Sequence, residues 1–140
     1  MAWTTRERVY YRSGALGSLS PPQLISRSGR ERGADPVLAV SNTGKLSLVW
    51  SAEITKSSGI VAGEWNLLVT HSTAIEPSFL TEDERTTAGT YDRHPTLAAA
   101  NDSVYIVWER GTPPQVCFTL LSNQINVNTR KIVQVTANPY

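Results

Sequence analysis

Residues 36–50 read PVLAVSNTGKLSLVW, and residues 95–108 repeat the same pattern as PTLAAANDSVYIVW. Each copy consists of a proline, a short apolar run, a polar turn, a second apolar run and a closing Val-Trp. A duplication of this kind indicates a structural repeat and contains no catalytic signature of its own. The two copies therefore divide the chain into repeating units.

The second apolar run of each copy has the pattern of a β-strand. In the first copy Leu46, Leu48 and Trp50 alternate with Ser47 and Val49, and residues 104–108 alternate in the same way. Apolar residues on both faces are typical of a sheet that packs between two neighbouring sheets. The polar turns between the runs contain residues that tolerate left-handed backbone, as hairpins require.

The first apolar run of each copy begins at a proline, Pro36 or Pro95. The start of a strand is a position where the missing N–H of proline costs little. The alanines of residues 98–100 favour an innermost strand, where sheets crowd together around an axis. Since no stretch has a 3.6-residue apolar period, we expect almost no helix.

A third, partial copy precedes the other two. After each of Trp3, Trp50 and Trp108 come a loop, an apolar run ending in Ser, a second loop, and a short run ending in Ile-Ser, Leu-Thr or Val-Thr. The tryptophans are spaced by 47 and 58 residues, and an insertion at residues 54–63 accounts for most of the difference. A repeat of this length with four short β-like runs is typical of β-propeller blades.

The repeat predicts three units: a half blade at residues 1–34, a second blade at residues 35–93, and a third blade at residues 94–140 that ends at a blade boundary. The predicted fold class is all-β, with propeller-like blades of four antiparallel strands in an incomplete ring. An open arc of this kind leaves two apolar faces exposed. We therefore expect an internal fragment of a longer propeller, or a chain whose half blade is completed by a partner or left degenerate.

Composition gives few functional clues. With 140 residues, 18% charged residues and a net charge of +1, the chain offers no reason to expect nucleic acid or an anionic membrane as a partner. No apolar run approaches the ~20 residues of a membrane span. The single cysteine, Cys117, excludes an internal disulfide and a cysteine-based zinc site, and its apolar surroundings predict a buried strand position. No cofactor is predicted.

The repeats resemble the sialidase-like (BNR) propeller repeats, in which a blade reads proline, apolar strand, Asp/Gly turn, and an apolar strand closing on Trp. That family's most specific mark is the Asp-box, Ser-x-Asp-x-Gly-x-Thr-Trp. Residues 13–21 read SGALGSLSP, where Ser and Gly are in register, Ala15 replaces the aspartate and Leu19 stands near the tryptophan's place. The turns after Ser72 and Ser122 have lost the box. The resemblance implies the propeller class more than the sialidase family itself, and favours an extracellular or periplasmic parent protein.

The resemblance also implies a ligand site. Sialidases begin their ring with a (Phe/Tyr)-Arg-Ile-Pro motif, whose arginine holds the substrate carboxylate through bidentate contacts. Residues 91–95 read YDRHP and resemble that motif at the start of an innermost strand, although Asp92 displaces the aromatic residue and His94 replaces the isoleucine. The resemblance therefore implies ligand contacts by Tyr91, Asp92 and Arg93.

Of the tryptophans, Trp65 is expected to be partly exposed, because it lies at the end of the insertion, and exposed aromatic residues on propeller rims bind sugars. The repeated positions of the other three predict packing between blades. The two histidines, His71 and His94, lack ligand spacing, so no metal site is predicted. No catalytic residue is assigned, because the most acidic run, residues 81–85 (TEDER), reads as a solvated loop.

Three functions are consistent with these patterns. The first is a non-catalytic propeller fragment that acts as an interaction or ligand-binding scaffold. The second is part of a sialidase-like glycoside hydrolase in which Arg93 binds a carboxylate, and the third is a small lectin that completes its ring by oligomerising. The fold alone does not choose among them. The expected partners are the remaining blades of a longer propeller, or further copies that associate through exposed blade faces, and carbohydrate.

Overall fold

A computed structural model describes residues 1–26, 31–56, 59–73, 79, 84–86, 91–121 and 133–134. The described residues form β-strands and no helix, so the all-β class predicted from the sequence is confirmed. In this part of the chain there is accordingly no helix long and apolar enough to cross a membrane. The strands are β1 (Ala2–Thr5), β2 (Arg8–Tyr11), β3 (Gly14–Ala15), β4 (Ser18–Leu19), β5 (Gln23–Leu24), β6 (Glu31–Val40), β7 (Lys45–Lys56), β8 (Gly59–Thr73), β9 (Glu84–Arg85), β10 (Asp92–Ala100), β11 (Ser103–Arg110), β12 (Gln115–Leu121) and β13 (Val133–Gln134).

Three antiparallel sheets follow one another along the chain. Sheet I has the order β1-β2-β5, sheet II the order β6-β7-β8-β9, and sheet III the order β10-β11-β12-β13. Strands β3 and β4 form a small hairpin between β2 and β5. In each sheet the strands pair in chain order, as short connections between antiparallel strands favour. The described strands do not close into a ring, and their identity as propeller blades stays a prediction.

Several sequence predictions fall outside the described residues. They include Glu82 and Asp83 of the acidic run, and residues 122–132 and 135–140 of the predicted third blade. Glu84, which the sequence placed in a loop, begins β9. The predicted insertion at residues 54–63 lies where β7 and β8 lengthen into a hairpin, with Thr55 paired to Ile60.

The two full copies of the repeat share an irregularity in their first strand. The register shifts between Ala34 and Val37 in β6, and β10 has the corresponding shift just before Thr96. At each shift the residue before proline is left-handed, with a φ of 51° at Asp35 and 52° at His94. Such a conformation is uncommon for residues other than glycine. The same backbone feature therefore occurs at the same position in both copies.

This bulge corrects one detail of the sequence prediction. Pro36 and Pro95 do not begin their strands, because β6 begins at Glu31 and β10 begins at Asp92. A β-bulge leaves one residue out of the hydrogen-bond ladder, so a proline is tolerated inside the strand. Five residues before Pro36 and three residues before Pro95 thus belong to the sheets. The strand backbone fixes the directions of their side chains.

The sheets stack face to face with one apolar core on each side of sheet II. The core between sheets I and II is formed by Val9, Tyr11, Leu46, Leu48, Trp50, Ala52, Leu68 and Phe79. The core between sheets II and III is formed by Val49, Leu67, Val69, Val104, Ile106, Trp108, Cys117 and Leu121. Because side chains alternate across a strand, Trp50 faces sheet I while its neighbour Val49 faces sheet III. The predicted packing of this sheet between two neighbours is confirmed, as is the burial of Cys117.

The repeated tryptophans share one orientation. Trp50 and Trp108 are buried, and each packs toward the sheet that precedes its own along the chain. Trp3 occupies the corresponding position in sheet I, on the face opposite Val9, and stacks on Tyr10 with ring centroids 5.7 Å apart. Among the described residues no sheet covers this face of sheet I. Trp3 is therefore only half-buried.

Truncating the three tryptophans should separate their contributions to stability. We expect Trp50→Ala and Trp108→Ala each to lower the free energy of unfolding by about 3–5 kcal/mol, because each leaves a cavity between two sheets. Trp3→Ala is the matched control and should cost about 1 kcal/mol or less, since its ring lies at the surface. Urea unfolding followed by circular dichroism measures the three losses. Equal losses at all three positions would contradict the stacked arrangement.

Candidate functional site

Three of the four ligand residues predicted from the sequence meet where sheet III begins beside sheet II. Tyr91, immediately before β10, forms a parallel bridge with Trp65 of β8. The carbonyl of Tyr91 also accepts a hydrogen bond of 2.9 Å from the Gly111 N–H. The backbone around Tyr91 is thereby held on two sides. Two residues further along the chain, the side chain of Arg93 lies over the rings of Trp65 and Tyr91.

The guanidinium of Arg93 is the centre of this site. Its Cζ atom lies 4.4 Å from the centroid of the Trp65 ring and 5.8 Å from that of Tyr91. Its Nη1 donates a hydrogen bond of 3.0 Å to the Tyr91 hydroxyl. A cation over an aromatic face is stabilised by the ring quadrupole, by about 0.5–2 kcal/mol depending on solvent access. Three of the four predicted ligand residues therefore form one preorganised group.

Two further residues complete the group through the repeated bulge. Nη2 of Arg93 lies 3.9 Å from Oδ2 of Asp35 in β6, and Nδ1 of His94 lies 3.3 Å from the same oxygen. Asp35 and His94 are the two left-handed residues, so the same backbone feature in neighbouring sheets brings their side chains together. The Arg93 side chain is 26% exposed and that of His94 is 53% exposed. The Arg93 cluster (Tyr91, Arg93, Trp65, Asp35 and His94) is thus open to solvent at one side.

The Arg93 cluster has hydrogen-bonding capacity that the described residues do not use. A guanidinium carries five N–H donors, and among the described residues only Nη1 of Arg93 makes a hydrogen bond. Within the same part of the chain, Nε of Arg93 and Oδ2 of Asp35 are buried without a hydrogen bond. Buried polar atoms are usually paired. The cluster therefore holds a donor and an acceptor that are fixed in place but incompletely satisfied.

Asp92, the fourth predicted ligand residue, lies apart from this cluster. Successive side chains of a strand point to opposite faces, so Asp92 points away from the side occupied by Arg93. It is fully buried, and its Oδ1 accepts hydrogen bonds from Trp108 Nε1 at 3.0 Å and Arg110 Nε at 2.7 Å. Its Oδ2 accepts from Arg110 Nη2 at 2.9 Å, and this bidentate hydrogen bonding raises the pKa of Arg110. Asp92 therefore anchors the core tryptophan of sheet III.

The corresponding position in sheet II shows that this anchor is not part of the repeat. Gly33 stands where sheet III has Asp92, and Trp50 Nε1 is buried there without a hydrogen-bond partner among the described residues. A Cβ atom added to Gly33 would lie 2.6 Å from Cγ2 of Val9 in sheet I. Sheet I therefore fills the space that the carboxylate would occupy.

Two of these contacts were missed by reasoning from the sequence. The approach of Asp35 to His94 has a signal, because both residues directly precede the proline of their copy. The pairing of Asp92 with Arg110 has none, since the two residues are 18 positions apart and differ from their counterparts in sheet II. Only the register of β10 against β11 brings them together.

Other reactive groups give no second site in the described part of the chain. No group of three or more metal-ligating side chains occurs there. Burial raises the pKa of the Cys117 thiol, and the nearby charge of Arg110 opposes this effect only in part. The raised pKa disfavours the thiolate that nucleophilic chemistry needs. His71 makes a hydrogen bond of 3.0 Å with Ser47 inside sheet II. An apolar cavity of about 20 Å³ beside Trp108 has room for little more than one water molecule.

Replacing Asp92 tests whether its role is structural. Asp92→Asn leaves the guanidinium of Arg110 without its charged partner, so we expect the free energy of unfolding to fall by about 3 kcal/mol. The expected loss lies at the lower end of the range for buried pairs because the Arg110 side chain is 22% exposed. Asp102→Asn, in an exposed turn, is the matched control and should change stability by about 0.5 kcal/mol or less. Urea unfolding compares them, and indistinguishable midpoints would refute the anchoring role.

Compared with known proteins, the chain matches no family model, no curated protein and no solved structure.

Proposed function

We propose that the chain is a non-catalytic section of a β-propeller and acts as a scaffold that binds a small polar ligand at the Arg93 cluster. The observation that carries this proposal is the Arg93 guanidinium, which is stacked on Trp65, partly exposed, and hydrogen-bonded through only one of its nitrogens among the described residues. A cation held in place before the ligand arrives loses little further side-chain entropy on binding. Such a group is suited to recognition.

The propeller part of this proposal is supported by the stacking of successive sheets. Sheets II and III each contain four strands in chain order, and both have the same bulge before the proline. The backbone N–H of Asn42 donates to the Asn101 carbonyl at 3.0 Å, so the first hairpin turns of the two sheets also meet. Repeated antiparallel sheets with matching neighbours are the arrangement expected of blades.

The chemistry of the cluster favours an acidic sugar as the ligand. A guanidinium binds a carboxylate through two parallel hydrogen bonds. The aromatic faces of Trp65 and Tyr91 offer apolar surface beside that charge, and the carboxylate of Asp35 can accept a hydrogen bond from a hydroxyl group. A pyranose ring that carries a carboxylate combines all three features in one molecule.

The carboxylates near Arg93 favour binding over hydrolysis. Most glycosidases need a pair of carboxyl groups on either side of the scissile bond. Asp92 already accepts hydrogen bonds from Trp108 and Arg110, and it faces away from Arg93. Within the described residues the cluster contains one carboxylate, that of Asp35, which lies between Arg93 and His94. The pair of carboxyl groups that this mechanism uses is therefore not present among the described residues of the cluster.

Binding can be tested with N-acetylneuraminic acid as the probe and galactose as the neutral comparison. Titration calorimetry should give a Kd in the millimolar range or tighter for the acid and no binding for galactose. Arg93→Gln should weaken binding about tenfold or more, because a hydrogen bond to a charged group contributes about 1.5–3 kcal/mol. Arg6→Gln, an exposed arginine in the turn between β1 and β2, is the matched control and should leave the Kd unchanged.

Equal affinity of the wild type and Arg93→Gln for the probe would contradict the proposal, as would an absence of binding at about 10 mM ligand. A fluorogenic sialoside distinguishes binding from catalysis. Hydrolysis by the wild type that is lost in Arg93→Gln would replace the scaffold function with that of a glycoside hydrolase.

A further inference from the structure

The two outer faces of the stack carry aromatic and aliphatic side chains that no described residue covers. End face I, on sheet I, is defined by Trp3, Tyr10 and Leu24. End face III, on sheet III, is defined by Tyr105, Val107, Phe118, Leu120 and Val116. Leu24 is 40% exposed and Leu120 is 38% exposed, so the surface reaches solvent at both ends. Contiguous apolar patches of this kind are uncommon on monomers and usually mark an interaction site.

End face I repeats one half of the contacts inside the stack. Trp50 and Trp108 each point toward the preceding sheet and are buried against it. Trp3 has the same position and the same direction in sheet I, but no preceding sheet is present in the described residues. End face I is therefore a tryptophan-bearing face without its partner.

End face III repeats the other half. In sheet II the cross-strand pair Val49 and Val69 is buried against sheet III. The corresponding pair in sheet III is Val107 and Phe118, which points away from the stack and is only half-buried. Inside the chain, Trp108 thus packs on the face of sheet II that carries Val49 and Val69, and Trp50 packs on the face of sheet I that carries Val9 and Tyr11. Among the described residues, one tryptophan-bearing face (end face I) and one face of the opposite kind (end face III) are not covered by another sheet.

Charges at the rims of the two faces are complementary. Arg8 alternates with the buried Val9, so it lies on end face I and is exposed. Glu109 alternates with the buried Trp108, so it lies on end face III, and it is also exposed. Both residues lie just beyond the repeated tryptophan, at the same end of their sheets, so stacking in the register of the internal contacts would bring opposite charges to one rim. Such complementarity favours one orientation of two surfaces.

From these observations we infer that end face I of one copy of this chain packs on end face III of a second copy. The contact is head-to-tail, because both contacts between the described sheets join a tryptophan-bearing face to the opposite face of the preceding sheet. A head-to-tail contact leaves one free face at each end of a pair, so assembly continues until the rotation closes a ring or gives an open chain. This inference does not depend on the Arg93 cluster.

Paired variants test the contact. Trp3→Glu blocks end face I and Leu120→Lys blocks end face III, while Leu16→Lys changes a fully exposed leucine in the β3–β4 turn as the matched control. In sedimentation velocity, the wild type and Leu16→Lys should form oligomers whose mass rises with concentration. Each blocking variant alone should be a monomer. An equimolar mixture of the two should form a 1:1 dimer that does not grow, because it contains one intact face of each kind.

Several outcomes would overturn the inference. A wild type that stays monomeric up to about 100 µM would mean that a second copy does not cover these faces. Oligomers that persist in only one blocking variant would indicate symmetric pairing of a single face, and a mixture that stays monomeric would exclude the head-to-tail contact. Circular dichroism and slow reaction of the buried Cys117 thiol verify folding of each variant. If Leu120→Lys fails that check, Val116→Lys blocks the same face.

Discussion

The structure depends on the burial of one tryptophan in each space between neighbouring sheets. Trp50 fills the space between sheets I and II, and Trp108 fills that between sheets II and III. An aromatic side chain of this size buries about 150–250 Å², which is a large share of the apolar contact that a four-stranded sheet can offer. Since Val49 faces the opposite way from Trp50, sheet II is apolar on both sides and holds the other two sheets together.

The Arg93 cluster follows from that stacking. Asp35 belongs to sheet II and Arg93 to sheet III, so their side chains approach only because the two sheets pack with corresponding bulges side by side. Nδ1 of His94 lies 3.3 Å from Oδ2 of Asp35, so the left-handed residues of the two bulges meet at this junction. A structural repeat thereby places an acid, two aromatic rings and a cation at one junction, whereas sheet II has Ala34 at the position that Arg93 occupies in sheet III. Binding chemistry at this position is a property of one junction and not of the repeat.

Alternation and repetition are local signals, and from them the sequence predicted the all-β class and the burial of Trp50 and Trp108. The tyrosine and arginine of the cluster were proposed from the resemblance of residues 91–95 to the sialidase motif. It did not predict the direction of Asp92. The proline suggested that the strand begins at Pro95, whereas it begins at Asp92, and strand alternation then turns Asp92 toward Trp108 and away from Arg93. The partner of Asp92, Arg110, could not be found either, because the pair depends on the register between two strands and has no counterpart in sheet II. Side chains on a repeated backbone are predictable where the copies agree and unpredictable where they differ.

Amide hydrogen exchange tests the stacked arrangement most directly. Strand β7 is an inner strand of the middle sheet and has an apolar core on each face, so its amides at residues 48–51 should exchange only through unfolding of the whole stack. Amides of β11 should exchange next most slowly, since in the monomer no described residue covers the second face of sheet III, and those of the edge strand β1 should exchange fastest. Equal exchange rates in β1 and β7, or faster exchange in β7, would contradict the account.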